Sequence, residues 1–88
     1  MTFEVEITPE GLRHLDRFPP KIRAAVIETI LGSIADNPAR AGKPLRGELE
    51  RLYSARRGEF RIIYEFDEAA NAVLIHRAQH RSEAYRRR

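Results

Sequence analysis

Apolar and polar residues alternate strictly at the start of the chain. From Thr2 to Ile7 the odd positions are apolar, and positions 4 and 6 are glutamate. A period of two over six residues predicts a half-buried strand with one apolar face.

The period then changes to that of a helix. Thr8 followed by Pro9 is typical of an N-cap with proline at the first helical position. Leu12, Leu15 and Phe18 form the apolar stripe of a short helix. The two prolines that follow end it.

Pro20 also opens a second helix, which is amphipathic. Its apolar residues recur at steps of one, three and four, at Ile22, Val26, Ile27, Ile30, Leu31 and Ile34. Asn37-Pro38 ends this helix. The two helices form a hairpin whose joined apolar faces need a sheet to cover them.

The second half of the chain returns to a period of two. After a polar connection from Ala39 to Gly47, the pattern predicts strands over Glu48–Arg56, Phe60–Phe66 and Val73–Gln79. Arg57-Gly58 supplies a tight turn between the first two. We therefore predict one α+β domain over residues 1–88, with the order β-α-α-β-β-β. An antiparallel sheet packs on the helical hairpin, and the first strand joins that sheet.

The charge is unevenly distributed. Lys and Arg number 16 against 13 Asp and Glu, and fourteen of the sixteen cations are Arg. Residues 1–39 carry a net charge of −2 and residues 40–88 carry +5. A positive C-terminal half favours a polyanionic partner, although an Arg-rich composition can also reflect the base composition of a genome.

Arg61 lies in the middle of an apolar strand. Alternation places Arg61, Ile63 and Glu65 on one face and Phe60, Ile62, Tyr64 and Phe66 on the other. A charge in this position has to be solvated, paired or aimed at a ligand. Arg61 either pairs with Glu65 on a wet surface or holds phosphate on a concave face.

Further cations follow where the last strand leaves the sheet. We expect Arg56, Arg57, Arg61, Arg77 and Arg81 to converge on one cleft. Guanidinium groups bind phosphate oxygens in bidentate geometry and stay charged at working pH. The alternative is a solvated basic rim of the sheet.

Other chemistries have little support in the sequence. The chain has no Cys, and its three histidines lack carboxylates at ligand spacing. On a strand, His76 and His80 share a face about 13 Å apart. No glycine-rich phosphate loop or nucleophile elbow is present. We expect neither a metal nor a cofactor.

Phosphodiester cleavage without metal remains. Cutting RNA requires a base for the 2′-OH proton, cations around the phosphorane and an acid for the leaving oxygen. Arginines suit the second task. His80 is the nearby side chain of a type that titrates near neutrality, and Tyr85 can stack on a base or donate a proton.

Three segments resemble the RelE/ParE superfamily of bacterial toxins, and the RelE branch more closely: KPLRGEL, YSARRGEFRIIYEF and AVLIHRAQHRSEAY. The resemblance implies a type II toxin–antitoxin toxin that cuts mRNA in the ribosomal A site. It implies catalytic roles for Arg56, Arg61, His80, Arg81 and Tyr85. The phosphate-binding residues expected beside them are Arg57, Arg77, Lys43 and Arg46. This chain departs from many RelE-like toxins at Ser54 and Gln79, where relatives carry cations.

The same fold leaves two other functions open. ParE relatives inhibit DNA gyrase, so the fold alone does not decide the target. A basic binding module without enzymatic activity is the third alternative.

The resemblance also implies the partners. These are a cognate antitoxin with an acidic or amphipathic helical segment, and mRNA with ribosomal RNA. We expect a toxin–antitoxin hetero-oligomer. Because no apolar run is long enough to span a membrane and no signal peptide is evident, we expect a cytoplasmic protein without a membrane partner.

Overall fold

The predicted order of helices and strands is confirmed in the computed structural model, which describes residues 2–45 and 51–80. Within these residues the elements are β1 (Glu4–Ile7), α1 (Pro9–Arg17), α2 (Pro20–Thr29), α3 (Pro38–Ala41), β2 (Lys43–Pro44), β3 (Tyr53–Arg57), β4 (Phe60–Asp67) and β5 (Ala72–His80). A π-helical turn, Ile30–Ile34, continues α2. The short α3 and β2 were not predicted, because elements of four and two residues carry no readable periodicity. The strand predicted over Glu48–Arg56 begins at Tyr53 within the described residues, and positions 48–50 of that prediction lie outside them.

Side chains close both ends of α1. The Thr8 hydroxyl accepts a hydrogen bond from the Gly11 N–H at 3.0 Å and donates one to the His76 carbonyl at 3.2 Å. The cap therefore also ties α1 to β5. At the other end, the Arg23 guanidinium donates to the carbonyls of Leu15 and Phe18 at 3.1 and 3.2 Å. These bonds add side-chain donors to carbonyls at the C-terminal end of α1, where the Leu15 carbonyl also accepts from the Phe18 N–H at 3.1 Å.

The sheet is mixed rather than wholly antiparallel. In the described part of the chain its strand order is β1-β5-β4-β3-β2. The first strand does join the sheet, as predicted, but β1 runs parallel to β5. Our expectation of an antiparallel sheet is wrong at this one edge. A parallel pair requires a long connection, and the chain between β1 and β5 supplies one.

The helices cover one face of the sheet. Helix side chains including Leu15, Phe18 and Val26 pack with Ile62, Tyr64 and further strand residues in one buried cluster. On β4 this cluster takes the face predicted to be apolar. The opposite face, which carries Arg61, Ile63 and Glu65, is called here the outer face.

A β-bulge interrupts the pairing of β4 with β5. Ile63 pairs with Arg77 and Tyr64 pairs with Ile75, so His76 is an additional residue on β5. Strict alternation from Val73 and Ile75 would have turned Arg77 toward the core. The bulge reverses the alternation, and Ala78 is buried in the core instead.

The segment between α2 and β2 is anchored to strand β4. The buried Tyr64 hydroxyl donates a hydrogen bond of 2.7 Å to the Pro38 carbonyl. A Cβ on Gly42 would lie 2.7 Å from both the Ser54 carbonyl oxygen and the Tyr64 hydroxyl oxygen. The absence of a side chain at position 42 therefore permits this close approach.

We predict opposite effects for two glycine substitutions. Gly42→Ala should lower the free energy of unfolding by about 1–3 kcal/mol, because backbone atoms would have to shift. Gly32→Ala should raise it by about 0.5–1 kcal/mol, because the helical position has open space around it. Urea unfolding of both variants measures the two changes. Equal effects of the two substitutions would contradict the packing described for Gly42.

We predict a loss of stability at alkaline pH that depends on Tyr64. Burial, with a smaller contribution from the Tyr53 phenol, raises the pKa of Tyr64 from 10.0 to about 12. Between these values the unfolded chain loses the proton that the folded protein keeps, so stability falls as pH rises. Tyr64→Phe should remove part of that fall. Urea unfolding below pH 10 and between pH 10 and 12 compares the proteins, and identical pH slopes would refute the assignment.

Candidate RNA-binding site

The outer face brings two arginines together. Arg56 on β3 is the direct cross-strand partner of Arg61 on β4, and Arg61 in turn pairs with Gln79 on β5. Directly opposed residues on neighbouring strands have Cβ atoms about 5 Å apart. Arg56 and Arg61 therefore form adjacent points of positive charge on one surface.

This pair of like charges is not neutralised within the described chain. Directly opposed like charges destabilise a sheet. No carboxylate of residues 2–45 or 51–80 lies within ion-pair distance of Arg56 or Arg61. Glu65, the partner considered for Arg61, instead lies 3.3 Å from the His76 imidazole. The arrangement favours an external anion over a surface ion pair.

A hollow of about 680 Å³ lies beside these arginines and is called here the basic hollow. Its lining residues are Arg40, Ala41, Gly42, Lys43, Pro44, Leu45, Ser54, Arg56 and Arg61. Four of these residues are cationic, and none of this lining is acidic. The hollow can accept a phosphate group and its neighbours on a nucleic-acid chain.

Of two cationic residues of the basic hollow, the sequence predicted one and missed the other. Lys43 was predicted to bind phosphate, and β2 places it opposite Ser54. Arg40 was not predicted, because it lies in a polar connection where no periodicity indicates its orientation. Its position in the positively charged second half of the chain is the one sequence signal that pointed toward it.

The imidazole of His80 lies on the other side of the sheet. Its ring contacts the Phe60 ring, with centroids 5.0 Å apart, and its Nε2 atom lies 3.3 Å from the Glu59 carboxylate. Phe60 packs in turn on Phe18 at the end of α1. The expectation that His76 and His80 share a strand face is wrong, because His76 is itself the additional residue of the bulge.

The expected convergence of five arginines on one cleft needs correction. Arg57 is paired with Phe60 and lies on the helix-covered side, because alternate residues of a strand face opposite ways. Arg77 is on the outer face, but its Nε atom lies 3.8 Å from the Glu10 carboxylate at the edge near α1. Of the described arginines named in that prediction, Arg56 and Arg61 are the two that line the basic hollow.

Three predicted site residues lie outside the described residues: Arg46, Arg81 and Tyr85. Among the residues that the structure does describe, no group of three His, Asp or Glu side chains is arranged to hold a metal ion. A helix with the length and hydropathy of a membrane span is likewise absent from these residues.

Known proteins resemble this chain over almost its full length. The family model for the ParE toxin of type II toxin–antitoxin systems, parDE, matches residues 5–85. Toxin RelG of Mycobacterium tuberculosis is 44% identical over 87 residues, which cover 99% of this chain and 100% of that toxin. Toxin RelE of the same organism is 45% identical over 84 residues, covering 96% and 87% of the two chains.

The fold has a close counterpart among solved structures. The crystal structure of the RelBE2 toxin–antitoxin complex from Mycobacterium tuberculosis contains a chain that superposes with a TM-score of 0.89. It is 41% identical and covers 94% of this chain and 95% of its own. Family model, relatives and structure agree, and the chain therefore belongs to the RelE/ParE superfamily of type II toxin–antitoxin toxins, within which its relatives are RelE-like.

Proposed function

We propose that this toxin is an endoribonuclease that cuts mRNA in the ribosomal A site and needs no metal ion. The observation that carries the proposal is the Arg56–Arg61 pair at the basic hollow. Two opposed cations that destabilise the free sheet gain a favourable partner when a phosphate lies between them. The resemblance to toxins named RelE supports the same activity.

The proposed reaction is an internal transfer at phosphorus. The 2′ oxygen of one ribose attacks the adjacent phosphorus atom while the bond from phosphorus to the 5′ oxygen of the next nucleotide breaks. A base takes the 2′-OH proton and an acid protonates the leaving 5′ oxygen, which leaves a 2′,3′-cyclic phosphate and a 5′-OH. No further reactant is consumed in this step.

Arg56 and Arg61 stabilise the negative charge that builds up on the phosphorane. Fixed donors aimed at developing charge contribute about 10²–10³-fold each in rate. Both arginines extend from neighbouring strands, which hold their Cα atoms in register. Arg81 and Tyr85 complete the proposed site on the strength of the resemblance.

The proton-transfer role expected for His80 does not fit the geometry. Its imidazole lies beside Glu59 and Phe60 on the helix-covered side of the sheet, whereas Arg56 and Arg61 lie on the outer face. Tyr85 is therefore the proposed proton donor, on the strength of the resemblance, and the base is not assigned to a described residue.

A cognate antitoxin is the proposed protein partner. The structural relative from Mycobacterium tuberculosis is a toxin–antitoxin complex. We infer that an acidic or amphipathic helical segment of the antitoxin neutralises this toxin in a hetero-oligomer. Ribosomal RNA and mRNA are the other partners, and the cytoplasm is where the protein meets them.

Inhibition of DNA gyrase is the second candidate function. The matching family model is that of the ParE toxin, so the fold is compatible with both targets. The basic hollow favours RNA, because its cations are grouped at a point where a phosphate can be held from two strands.

We predict that Arg61→Ala abolishes growth arrest in cells that express the toxin. Removing one donor to the phosphorane should slow cleavage by about 10²–10³-fold. Primer extension on cellular transcripts measures the cuts, and they should fall within translated codons. Arg13→Ala removes the same charge from an exposed position on α1 and should leave cleavage unchanged.

A gyrase supercoiling assay run on the same proteins separates the two candidate functions. The proposal requires that, in the presence of wild-type toxin, gyrase still supercoils DNA and transcripts are cut. Intact transcripts together with failed supercoiling would establish the gyrase alternative.

We predict that His80→Gln slows cleavage by less than about tenfold, well short of the loss of about 10²–10⁴-fold expected on removing a proton-transfer group. The reason is that its imidazole lies on the opposite side of the sheet from Arg56 and Arg61. Single-turnover cleavage and RNA binding are measured on the same preparation. His76→Gln, on the same strand, is the matched control and should leave both unchanged. A loss of about 10²-fold or more in His80→Gln would restore the proton-transfer role.

A further inference from the structure

The basic hollow has two walls that come from different parts of the chain. Arg56 and Arg61 form the wall on strands β3 and β4, and Arg40 and Lys43 form the wall on residues 38–45. This second segment, which contains α3 and β2, is called here the 38–45 strap. A hollow of about 680 Å³ is larger than one phosphate group requires.

The 38–45 strap is fixed to the sheet at several points. The Tyr64 hydroxyl holds its first carbonyl, at Pro38, at 2.7 Å. Lys43 and Pro44 pair with strand β3, and the Leu45 N–H donates to the Leu52 carbonyl at 2.8 Å. The second cationic wall is therefore held in place before any ligand binds, which lowers the entropy that binding would otherwise lose.

The charges of the strap are not used inside the protein. Arg40 and Lys43 are exposed, and neither lies within ion-pair distance of a carboxylate in residues 2–45 and 51–80. Four cations from two walls repel one another across the hollow. That repulsion is relieved most by a ligand with more than one negative group, and successive phosphates of an RNA strand provide them.

We propose that Arg40 and Lys43 form a second phosphate subsite, which binds a phosphate adjacent to the one held by Arg56 and Arg61. This inference rests on the proposed RNA-cleaving function and assigns Arg40 a role in it. Tyr64 is a positioning residue, because its hydroxyl holds the strap and does not line the basic hollow. The subsite recognises backbone charge and is independent of base identity.

Two RNA probes of different length test the proposal. One is a 2′-O-methyl RNA hexamer, which cannot be cleaved because its nucleophile is blocked. The other is a dinucleoside monophosphate with the same 2′ modification, which carries a single internal phosphate. Arg40→Ala should weaken hexamer binding by about tenfold and leave dinucleotide binding within about twofold of wild type.

Salt dependence gives an independent measure of the contact. The slope of log affinity against log salt for the hexamer should become shallower by about 0.7 when Arg40 is replaced by Ala. Arg13→Ala is the matched control. It removes an exposed arginine of α1 that does not line the basic hollow, and it should change neither slope nor affinity. An unchanged slope in Arg40→Ala overturns the subsite.

The Tyr64→Phe variant tests the positioning role. This variant should bind the hexamer more weakly but bind the dinucleotide like wild type, because the Arg56–Arg61 wall does not depend on the strap. Equal loss of both probes would indicate general destabilisation and overturn the positioning role. Circular dichroism at the assay temperature establishes that the variant is folded.

The failure of this inference is distinguishable from failure of the proposed function. If Arg61→Ala weakens binding of both probes and Arg40→Ala weakens binding of neither, the second subsite is wrong and the nuclease proposal stands. If Arg61→Ala binds both probes like wild type, the proposed function itself fails. If Arg40→Ala weakens binding of the cognate antitoxin but not binding of the hexamer, the strap is an antitoxin contact and the RNA subsite is overturned.

Discussion

The pairing of β4 with its two neighbours is the constraint on which the site depends. It sets Arg61 opposite Arg56 on one side and opposite Gln79 on the other. A shift of one residue in either pairing would move every side chain of that strand to the opposite face. The register holds because Ile62 and Tyr64, on the same strand, are fully buried under the helical hairpin. Core packing thus fixes the positions of charges that repel each other.

The same register separates the positive and negative charges of the outer face. Arg56 and Arg61 lie at one end, while Glu6 and Glu65 are joined through Leu74 in a row at the other. A polyanion approaching this face is attracted to one end and repelled from the other. In the proposed function, this division orients the RNA strand on the outer face. Local repulsion at a binding site is a loss of stability that the rest of the fold compensates.

Family membership and site geometry support different parts of the argument. The matches with RelE, RelG and the ParE family model establish a type II toxin with this fold. The fold serves more than one target, so the activity has to be argued from particular side chains. Here the proposed activity rests on cations that come from separate elements, and the long sequence separation between Arg40 and Arg61 keeps this grouping out of any local motif.

The sequence alone determined both helices, the strands β4 and β5 and the alternation of β4, because each produces a hydrophobic period over many residues. It also indicated Arg61, since a charge within an apolar strand is visible without a structure. The tertiary structure decided the parallel pairing of β1, the bulge at His76 and the placement of Arg40. A bulge reverses the strand alternation through one extra residue, so Gln79 lies beside Arg61 and His80 lies beside Phe60. These features depend on contacts between distant segments, and a periodic pattern contains no information about such contacts.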